Sequence, residues 1–290
     1  MGSVLRGARR DGLNAGANFV RWPDATGNFA MTEPVSTFQY FPWDGGAVLL
    51  GTAGAIPAHA HHAIQICFRF EGHIRLRTSD ESAWTDYDLA IVPSGETHGM
   101  DAGKVHYGAT LFVEPETREG RVLTERYLRG GIANVDRAHA NDALRALLAA
   151  ARAERGRDSL AEQARGVVAA LTQQSEPAVA SDERILRAVK YVNEHLQTPL
   201  TLNQVAGVAF LSPSRFRHLF MEQTGMGLRQ YILWRRFVSV WEHRMNGVSL
   251  SEAAHAAGFA DSAHLTRTSR RMFGVPPSAM ELSAPALPAE

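Results

Sequence analysis

Three histidines and a glutamine in the N-terminal half have residue types and spacing suited to holding a ligand. His59, His61 and Gln65 lie close together in the chain, and His98 follows later. On one extended strand, alternate residues point to one side. We therefore expect His59, His61 and Gln65 to converge, with His62 on the other side and His98 reaching the same place from a neighbouring strand. Neutral imidazoles suit zinc, iron, nickel or copper, whereas protonated imidazoles suit an anion.

This cluster leaves three readings open. It holds a divalent metal through His59, His61 and His98, or it holds a small effector with help from Gln65, or it only fills the protein interior. No carboxylate pair and no nucleophile–base set accompanies it, so the sequence predicts no enzyme, no catalytic residue and no required cofactor.

Other candidate residues of the N-terminal half are expected to be structural. Cys67 lies in an apolar run, which favours a buried thiol. Because it is the single cysteine, an intrachain disulfide is excluded, which favours a cytoplasmic protein. His62, His73 and His106 are read as surface or strand histidines without a role.

Arginines dominate a second kind of candidate site, near the C-terminus. Thr201 with Gln204 forms a capping-box pattern, and Ser212 with Pro213 has the pattern of a helix start. A short helix, a tight turn and a second helix form a helix-turn-helix, whose second helix enters the DNA major groove. The residues predicted to face DNA from that helix are Ser214, Arg215, Arg217 and His218.

The same pattern recurs in residues 249–274. Alanines line a short helix, Gly258 closes it, and Asp261 with Ser262 caps the next one. The residues predicted to face DNA here are Ser262, His264, Arg267 and Arg270. A connecting helix over 228–245 would let both recognition helices reach successive major-groove segments about 10 bp apart.

These motifs resemble those of a known family. Residues 185–280 resemble the DNA-binding domain of the AraC/XylS transcriptional regulators, through LTLNQVAGVAFLSPSRFRHLF and AAGFADSAHLTRTSRRMFGVPPSAM. The resemblance implies a bacterial transcription factor that binds promoter DNA, with RNA polymerase as a partner. It also implies that Ala263 lies among the residues that face DNA. Three positions depart from the family pattern, His243, Ala253 and Ser269, where it usually has larger apolar residues. The second helix-turn-helix unit, residues 249–274, is therefore expected to be less stable or differently packed than the first.

The N-terminal half resembles the cupin motifs. The resemblance rests on the histidine spacing, on Gly72 and on the P-x-G-x-x-H pattern that ends at His98. Gln65 stands where metal-binding cupins usually have glutamate, which leaves a metal only a possible ligand. This resemblance implies a β-barrel that senses a small molecule or dimerises. The alternative function is a metal-dependent cupin enzyme fused to a DNA-binding domain.

The composition and the hydrophobic pattern of the chain indicate which strands and helices position these residues. The 290 residues carry 30 Lys+Arg and 30 Asp+Glu, and no apolar run is long enough to cross a membrane. Of these, residues 181–290 hold 12 basic and 9 acidic residues, leaving 18 and 21 for the rest, so the C-terminal part is slightly basic. Short apolar runs between 47 and 113 predict strands, and stripes at 139–154 and 159–173 predict helices.

The fold predicted is α+β with two domains. An irregular segment, 1–34, precedes a cupin-like barrel with flanking helices, 35–173. A linker, 174–181, leads to the all-α tandem helix-turn-helix domain, 182–280. The linker carries no apolar stripe, so we expect a fragment from about 178 to 290 to fold and bind DNA alone. Helices near 139–173 could pair two copies into a homodimer.

Overall fold

The structure is a computed structural model that describes residues 22–23, 29–30, 37–52, 54–101, 107–153, 155–173, 177 and 180–282. The chain divides into two compact units, 1–35 and 36–290. In the first unit, strands β1 (Trp22–Pro23) and β2 (Phe29–Ala30) pair antiparallel. This short pairing is the structure described within the segment at 1–34, which the sequence predicts to be largely irregular. The barrel-like and helix-turn-helix regions both belong to the second unit.

Eleven strands of the second unit's described residues form two sheets. The larger sheet has the order β12-β9-β6-β11-β4-β3-β13, and the smaller has the order β5-β10-β7-β8. All neighbours are antiparallel except β13 and β3, which are parallel. The strands are β3 (Thr37–Trp43), β4 (Gly46–Thr52), β5 (Ala55–His59), β6 (Ile64–Arg69), β7 (Ile74–Arg77), β8 (Thr85–Tyr87), β9 (Leu89–Val92), β10 (His98–Asp101), β11 (Tyr107–Val113), β12 (Ala133–Val135) and β13 (Glu281–Leu282).

Nine helices follow or flank these strands in the described residues. Helices α1 to α3 belong to the N-terminal half, and α4 to α6 belong to the first helix-turn-helix region. Helix α7 is the connector, and α8 and α9 form the second helix-turn-helix. The helices are α1 (Arg118–Tyr127), α2 (Asn141–Arg152), α3 (Arg157–Thr172), α4 (Glu183–Glu194), α5 (Leu202–Val208), α6 (Pro213–Thr224), α7 (Leu228–Met245), α8 (Leu250–Ala256) and α9 (Ser262–Phe273). The sequence reading had missed α1, whose N-cap is Thr117.

The larger sheet is covered on both faces. Ile64, Ile66 and Phe68 of β6 belong to a core with α2 and α3, whereas Cys67 belongs to a second core with Leu76 of β7. Burial on both faces explains why β6 is a continuous apolar run rather than an alternating one. Cys67 is buried as expected, and burial raises its pKa to about 12.

The smaller sheet leaves part of the larger sheet's inner face uncovered, and the C-terminal helices fill this gap. Leu49 of β4 and Phe112 of β11 line a cleft together with Trp234 and Phe237 of α7 and Phe273 of α9. The described strands of the two sheets share no ladder, so they form facing sheets and not a closed barrel.

The two halves are therefore in contact although the linker has no apolar stripe. Helix α7 packs on β3, α9 packs on β5, and β13 extends the larger sheet after the last helix. Sequence periodicity in the linker could not reveal these contacts, because the contacting side chains lie far from it in the chain.

Candidate effector site and DNA-binding helices

The structure brings the four predicted N-terminal site residues together. The imidazole ring centres of His59 and His98 are 4.4 Å apart, and those of His61 and His98 are 5.1 Å apart. Gln65 Oε1 lies 3.0 Å from His61 Nε2 and 3.3 Å from His98 Nε2. All four side chains are buried.

The backbone reaches this arrangement by a route that differs from the prediction. Strand β5 ends at His59, the chain bends, and β6 begins at Ile64, so His59, His61 and Gln65 do not share one strand. His98 lies directly opposite His59 in the β10–β5 ladder. The convergence was predicted correctly, but the single-strand geometry was wrong.

Burial controls the protonation of these imidazoles. Burial and the neighbouring His98 lower the pKa of His59 to about 4. The pKa of His61 falls well below its usual value, through burial and the closeness of His98 and His59. Burial also lowers the pKa of His98. The cluster therefore presents uncharged rings at neutral pH, which does not favour an anion held by protonated histidines.

A second buried cluster lies next to the first and was not predicted. His62 Nε2 lies 3.0 Å from Glu116 Oε2, and the side chains of both residues are almost entirely buried. The reading of His62 as a surface or strand histidine without a role is therefore wrong. His73 is exposed and paired with Asp88, and His106 lies outside the described residues.

The second cluster joins the N-terminal half to α7. The Tyr231 hydroxyl donates to Glu116 Oε1 at 2.8 Å, and Trp234 Nε1 donates to Glu114 Oε1 at 3.3 Å. Arg235 forms an ion pair with Glu114. Burial raises the pKa of Glu114, and the charge of Arg235 opposes that rise. The only sequence signal was a pair of acidic residues directly after an apolar strand.

Aromatic side chains of the C-terminal half cover the histidine cluster. The Phe273 ring stacks 5.5 Å from that of His61, and the Trp234 ring lies 6.0 Å from His61. Phe273 is the last residue of α9. The second helix-turn-helix unit thus ends directly on the candidate site.

The cleft beside this cluster is lined mostly by apolar and aromatic side chains and has a cavity volume of about 50 Å³. Arg235 and Glu114 bring charge to its wall, and Arg235 Nε is buried without a hydrogen-bond partner among the described residues. Its apolar walls come from both halves of the chain: Tyr40, Pro42, Leu49 and Phe112 from the sheet, and Trp234, Phe237, Trp241 and Phe273 from the helices.

Both helix-turn-helix units form as their caps predict. Thr201 and Ser249 each make a complete capping box, and Ser212 and Asp261 accept backbone hydrogen bonds at the starts of α6 and α9. The connector α7 spans Leu228–Met245, the range predicted for it. The side chains predicted to face DNA are exposed at Ser214, Arg215, Arg217, His218, Ser262, Ala263, Arg267 and Arg270, and His264 is half-buried.

The three departures from the family pattern have different outcomes. Ser269 is fully buried, and its hydroxyl donates to the Val275 carbonyl oxygen at 2.7 Å. This position therefore has a hydrogen bond in place of the apolar packing of a larger side chain. Ala253 is fully buried, and His243 is half-buried near the end of α7.

Comparisons with known proteins agree with this geometry. Residues 205–281 match the family described as a helix-turn-helix domain. The probable transcriptional regulator LumQ of Photobacterium leiognathi is 31% identical over 91 residues, which cover 30% of this chain and 36% of LumQ. The multiple antibiotic resistance protein MarA of Escherichia coli is 28% identical over 88 residues, which cover 30% of this chain and 69% of MarA. The chain therefore spans about a third of LumQ's length in this match.

One similarity to a solved structure extends over most of the chain. The crystal structure of ToxT from Vibrio cholerae O395 aligns with 81% of this chain and 96% of ToxT, with a TM-score of 0.53 and 9% identity. At that identity the match shows the fold alone, with N-terminal sheets followed by a helical domain.

Two helix pairs on one connector, preceded by a sheet domain, form a tandem helix-turn-helix architecture. The C-terminal region is thus similar to a helix-turn-helix domain family and, over the same region, to the regulators LumQ and MarA. No helix in the part of the chain that the structure describes is long and apolar enough to cross a membrane.

Proposed function

We propose that the chain is a one-component transcriptional regulator that binds promoter DNA and responds to a small effector. The observation that carries this function is the pair of recognition helices, α6 and α9, both packed on α7. Each one exposes arginines, which grip phosphate or make bidentate contacts with guanine. Under this proposal the protein acts in the bacterial cytoplasm, contacts RNA polymerase and pairs as a homodimer.

The N-terminal half acts as a cupin-like sensor in this proposal, and no catalytic role is assigned to it. The lining of the cleft between its sheet and α7 matches an effector with an apolar body and one hydrogen-bond acceptor, because Arg235 Nε offers an unused donor. At about 50 Å³ the cleft is smaller than a typical ligand pocket, so such an effector would bind by moving α7 away from the sheet. Crystal structures of ToxT include one bound to an unsaturated fatty acid, a molecule of that kind. An effector here would touch the connector helix directly.

DNA binding is tested with Arg217→Ala in the full chain. Loss of a base-reading arginine is expected to weaken specific binding by about 1–3 kcal/mol and to relax sequence preference at one position. Arg129→Ala is the matched control, because Arg129 is an exposed arginine just after α1, outside both the recognition helices and the helices at 139–173. Unchanged affinity and preference in competition assays on selected DNA would contradict the assignment.

Effector binding is tested by titrating oleate while following tryptophan fluorescence, since Trp234 and Trp241 line the cleft. Leu49→Trp should fill the cleft and abolish the response. Leu186→Trp is the control, because Leu186 is exposed and does not line the cleft. A response that survives in Leu49→Trp would place the effector elsewhere.

A further inference from the structure

The N-terminal half contains a second cavity besides the cleft at α7. Its volume is about 340 Å³, compared with about 50 Å³ for the cleft. Three elements form its walls: the turn between β3 and β4, the start of α1 and the outer face of α3. Small-molecule sites are concave and usually preformed. This cavity, here called the α3 cavity, therefore has room for a small ligand without movement of the chain.

One face of α3 leaves this space open. Glu162, Arg165, Gly166 and Ala169 follow helical spacing and all line the cavity. A Cβ atom on Gly166 would meet nothing within 4 Å. Glycine inside a helix lowers stability relative to alanine, and no close contact requires it at this position. The glycine keeps open a space that a side chain of the protein could fill, which indicates an occupant from outside the chain.

The opposite wall is fixed by short contacts. Gly45, in the turn between β3 and β4, has a φ of 83°, and a Cβ there would lie 2.7 Å from Thr117 Cγ2. The Glu114 N–H donates to the Gly45 carbonyl oxygen at 2.9 Å. The turn is thus held against the start of α1, and this wall of the cavity is already in place before any ligand binds.

Carboxylates reach the cavity from all three walls. Asp44 lies on the turn, Glu119 on α1 and Glu162 on α3, whereas the lining has one arginine, Arg165. Arg118 lies 3.9 Å from Glu119. Asp44 and Glu162 have no ion-pair partner in the part of the chain that the structure describes. The lining therefore carries an excess of negative charge and favours a cationic ligand.

These carboxylates are spread too widely to hold a single ion. Groups of three acidic or imidazole ligands within 4.8 Å of one another occur elsewhere among the described residues, but these three do not form such a group. Trp43, Val168 and Ala169 add apolar surface to the lining, and an indole face also attracts cations. The ligand that matches this lining has separated positive charges joined by an apolar chain.

We propose that the α3 cavity binds a small organic diamine. One ammonium group pairs with Asp44 on the turn, and the other pairs with Glu162 on α3. The methylene chain between them packs on Trp43, which also lines the cleft at α7. Gly166 provides the space for that chain.

The α3 cavity lies behind the segment that holds the connector helix. Val113 and Thr117 line the cavity. Between them in the chain, Glu116 accepts a hydrogen bond from Tyr231 at 2.8 Å, and Glu114 forms an ion pair with Arg235. A ligand in the cavity therefore contacts the same short segment that binds α7, and its binding should make that segment less mobile.

The test titrates cadaverine, a five-carbon diamine, into the full chain at physiological salt, with calorimetry as the measurement. We expect one equivalent to bind with a Kd below about 1 mM. Pentylamine, which has one ammonium group, should bind about threefold to tenfold more weakly, and glutarate, which has carboxylates instead, should not bind.

Variants of the two pairing carboxylates locate the site. Asp44→Asn and Glu162→Gln should each weaken cadaverine binding about threefold to tenfold. Glu71→Gln is the control, because Glu71 is an exposed carboxylate that does not line the cavity. Equal binding by all three variants would overturn the proposal.

Variants of Gly166 test the open space and should not harm the fold. Gly166→Ala should raise the melting temperature of the free protein by about 2–4 °C, because alanine favours the helix. Gly166→Leu should remain folded by circular dichroism but lose cadaverine binding, because its side chain occupies the cavity. Binding by a folded Gly166→Leu variant at the parent's affinity would place the diamine elsewhere and overturn the proposal.

Hydrogen exchange of the parent protein tests the site without any substitution. Saturating cadaverine should slow exchange at 43–45 and 162–169, and also at 114–117, the segment that contacts α7. Slowing confined to other parts of the chain, or no binding of cadaverine at all, would overturn the proposal. Sedimentation separates the other occupant, a second copy of the chain. A parent dimer that becomes a monomer in Gly166→Leu and does not bind cadaverine would show that the cavity is an interface instead.

Discussion

The two helix-turn-helix units share a pattern but differ in what supports them. The first buries large apolar side chains of its own, including Phe216, Leu219 and Phe220, in a core with α4, α5 and α7. At the matching positions the second has Leu265, Thr268 and Ser269. It compensates through Phe273, which packs among aromatic rings of α7 and on the histidine cluster. The first unit therefore has a large apolar core of its own and polar contacts with the N-terminal half, whereas the second packs its aromatic side chain against the N-terminal half.

The turn between the two helices of each unit, here called its elbow, also differs between the units. Phe210 and Gly258 occupy the same position in the turn, with φ of 54° and 84°. Phe210 is 82% exposed, with the Arg187 guanidinium over its ring. Gly258 is enclosed, and a Cβ there would lie 2.5 Å from the Leu196 carbonyl oxygen. One elbow tolerates strain at the surface, and the other admits no side chain at all.

The comparison is tested most strongly by Phe273→Ala. Removing a buried phenylalanine is expected to lower the free energy of unfolding by about 3–5 kcal/mol. Because the ring contacts both halves, the variant should also lose protection from proteolysis in the linker. Urea unfolding of the full chain measures the first effect. A loss below about 1 kcal/mol would mean that the second unit does not rely on this contact.

The polar support of the first unit is tested by pH. Burial alone would raise the pKa of Glu116, but the charge of His62 and hydrogen bonds from His62 and Tyr231 lower it to about 2. A carboxyl whose folded pKa is depressed stabilises the fold above its ordinary value near 4.5, and that stability is lost as pH falls toward 2. Glu116→Gln should therefore be less stable by about 3 kcal/mol at pH 6, with a weaker further loss between pH 5 and 3.

The control for that experiment is Glu119→Gln, since Glu119 is an exposed carboxylate on α1. It should follow the parent protein at every pH. If Glu116→Gln loses as much stability between pH 5 and 3 as the parent protein, the contacts of Glu116 with His62 and Tyr231 do not cause the parent's acid sensitivity.

The enclosed elbow is tested by Gly258→Ala. A left-handed conformation costs an alanine about 1–2 kcal/mol, and the contact with Leu196 adds to it, so a loss of about 2 kcal/mol or more is expected. Thermal unfolding monitored by circular dichroism measures it. A neutral substitution would show that the backbone at this turn relaxes easily.

The smallest effect is expected at the exposed elbow. Phe210→Gly relieves the strain of a left-handed phenylalanine but loses the contact with Arg187 and adds chain entropy to the unfolded state. The net result should be a gain of up to about 1 kcal/mol in the same unfolding assay. A loss larger than 1 kcal/mol would show that the Phe210 ring contributes more than its conformation costs.

Local signals were sufficient for the C-terminal domain. Capping at Thr201, Ser212 and Asp261, with apolar periodicity between them, predicted the helices and their exposed faces, because helix starts and stops are determined by residues a few positions apart. The strand at 64–68 and the burial of Cys67 were likewise readable. DNA contacts by Arg217 and its neighbours stay a prediction, as does independent folding of a fragment from 178 to 290.

Long-range pairing was not readable. The ion pair between Glu114 and Arg235 joins residues 121 positions apart, and each looks like an ordinary surface charge in its own segment. The bend between β5 and β6 changed how His59 and His61 meet. A closed barrel was predicted, but helices cover part of the inner face of the larger sheet where strands would close the barrel. The sequence could not distinguish these cases, because the apolar pattern of the covered strands is the same in both.

The last strand gives the DNA-binding domain a second attachment. Glu281 and Leu282 pair in parallel with Thr37 and Phe38, so the sheet begins before the helical domain and ends after it. The domain is thus tethered at both ends, by the linker at its entry and by β13 at its exit. A double tether keeps the local concentration of the domain at its docking surface high, as a short linker does for two joined modules. Release of α9 from the N-terminal sheets then requires that β13 detach too, which makes Glu281 and Leu282 part of the contact between the two halves.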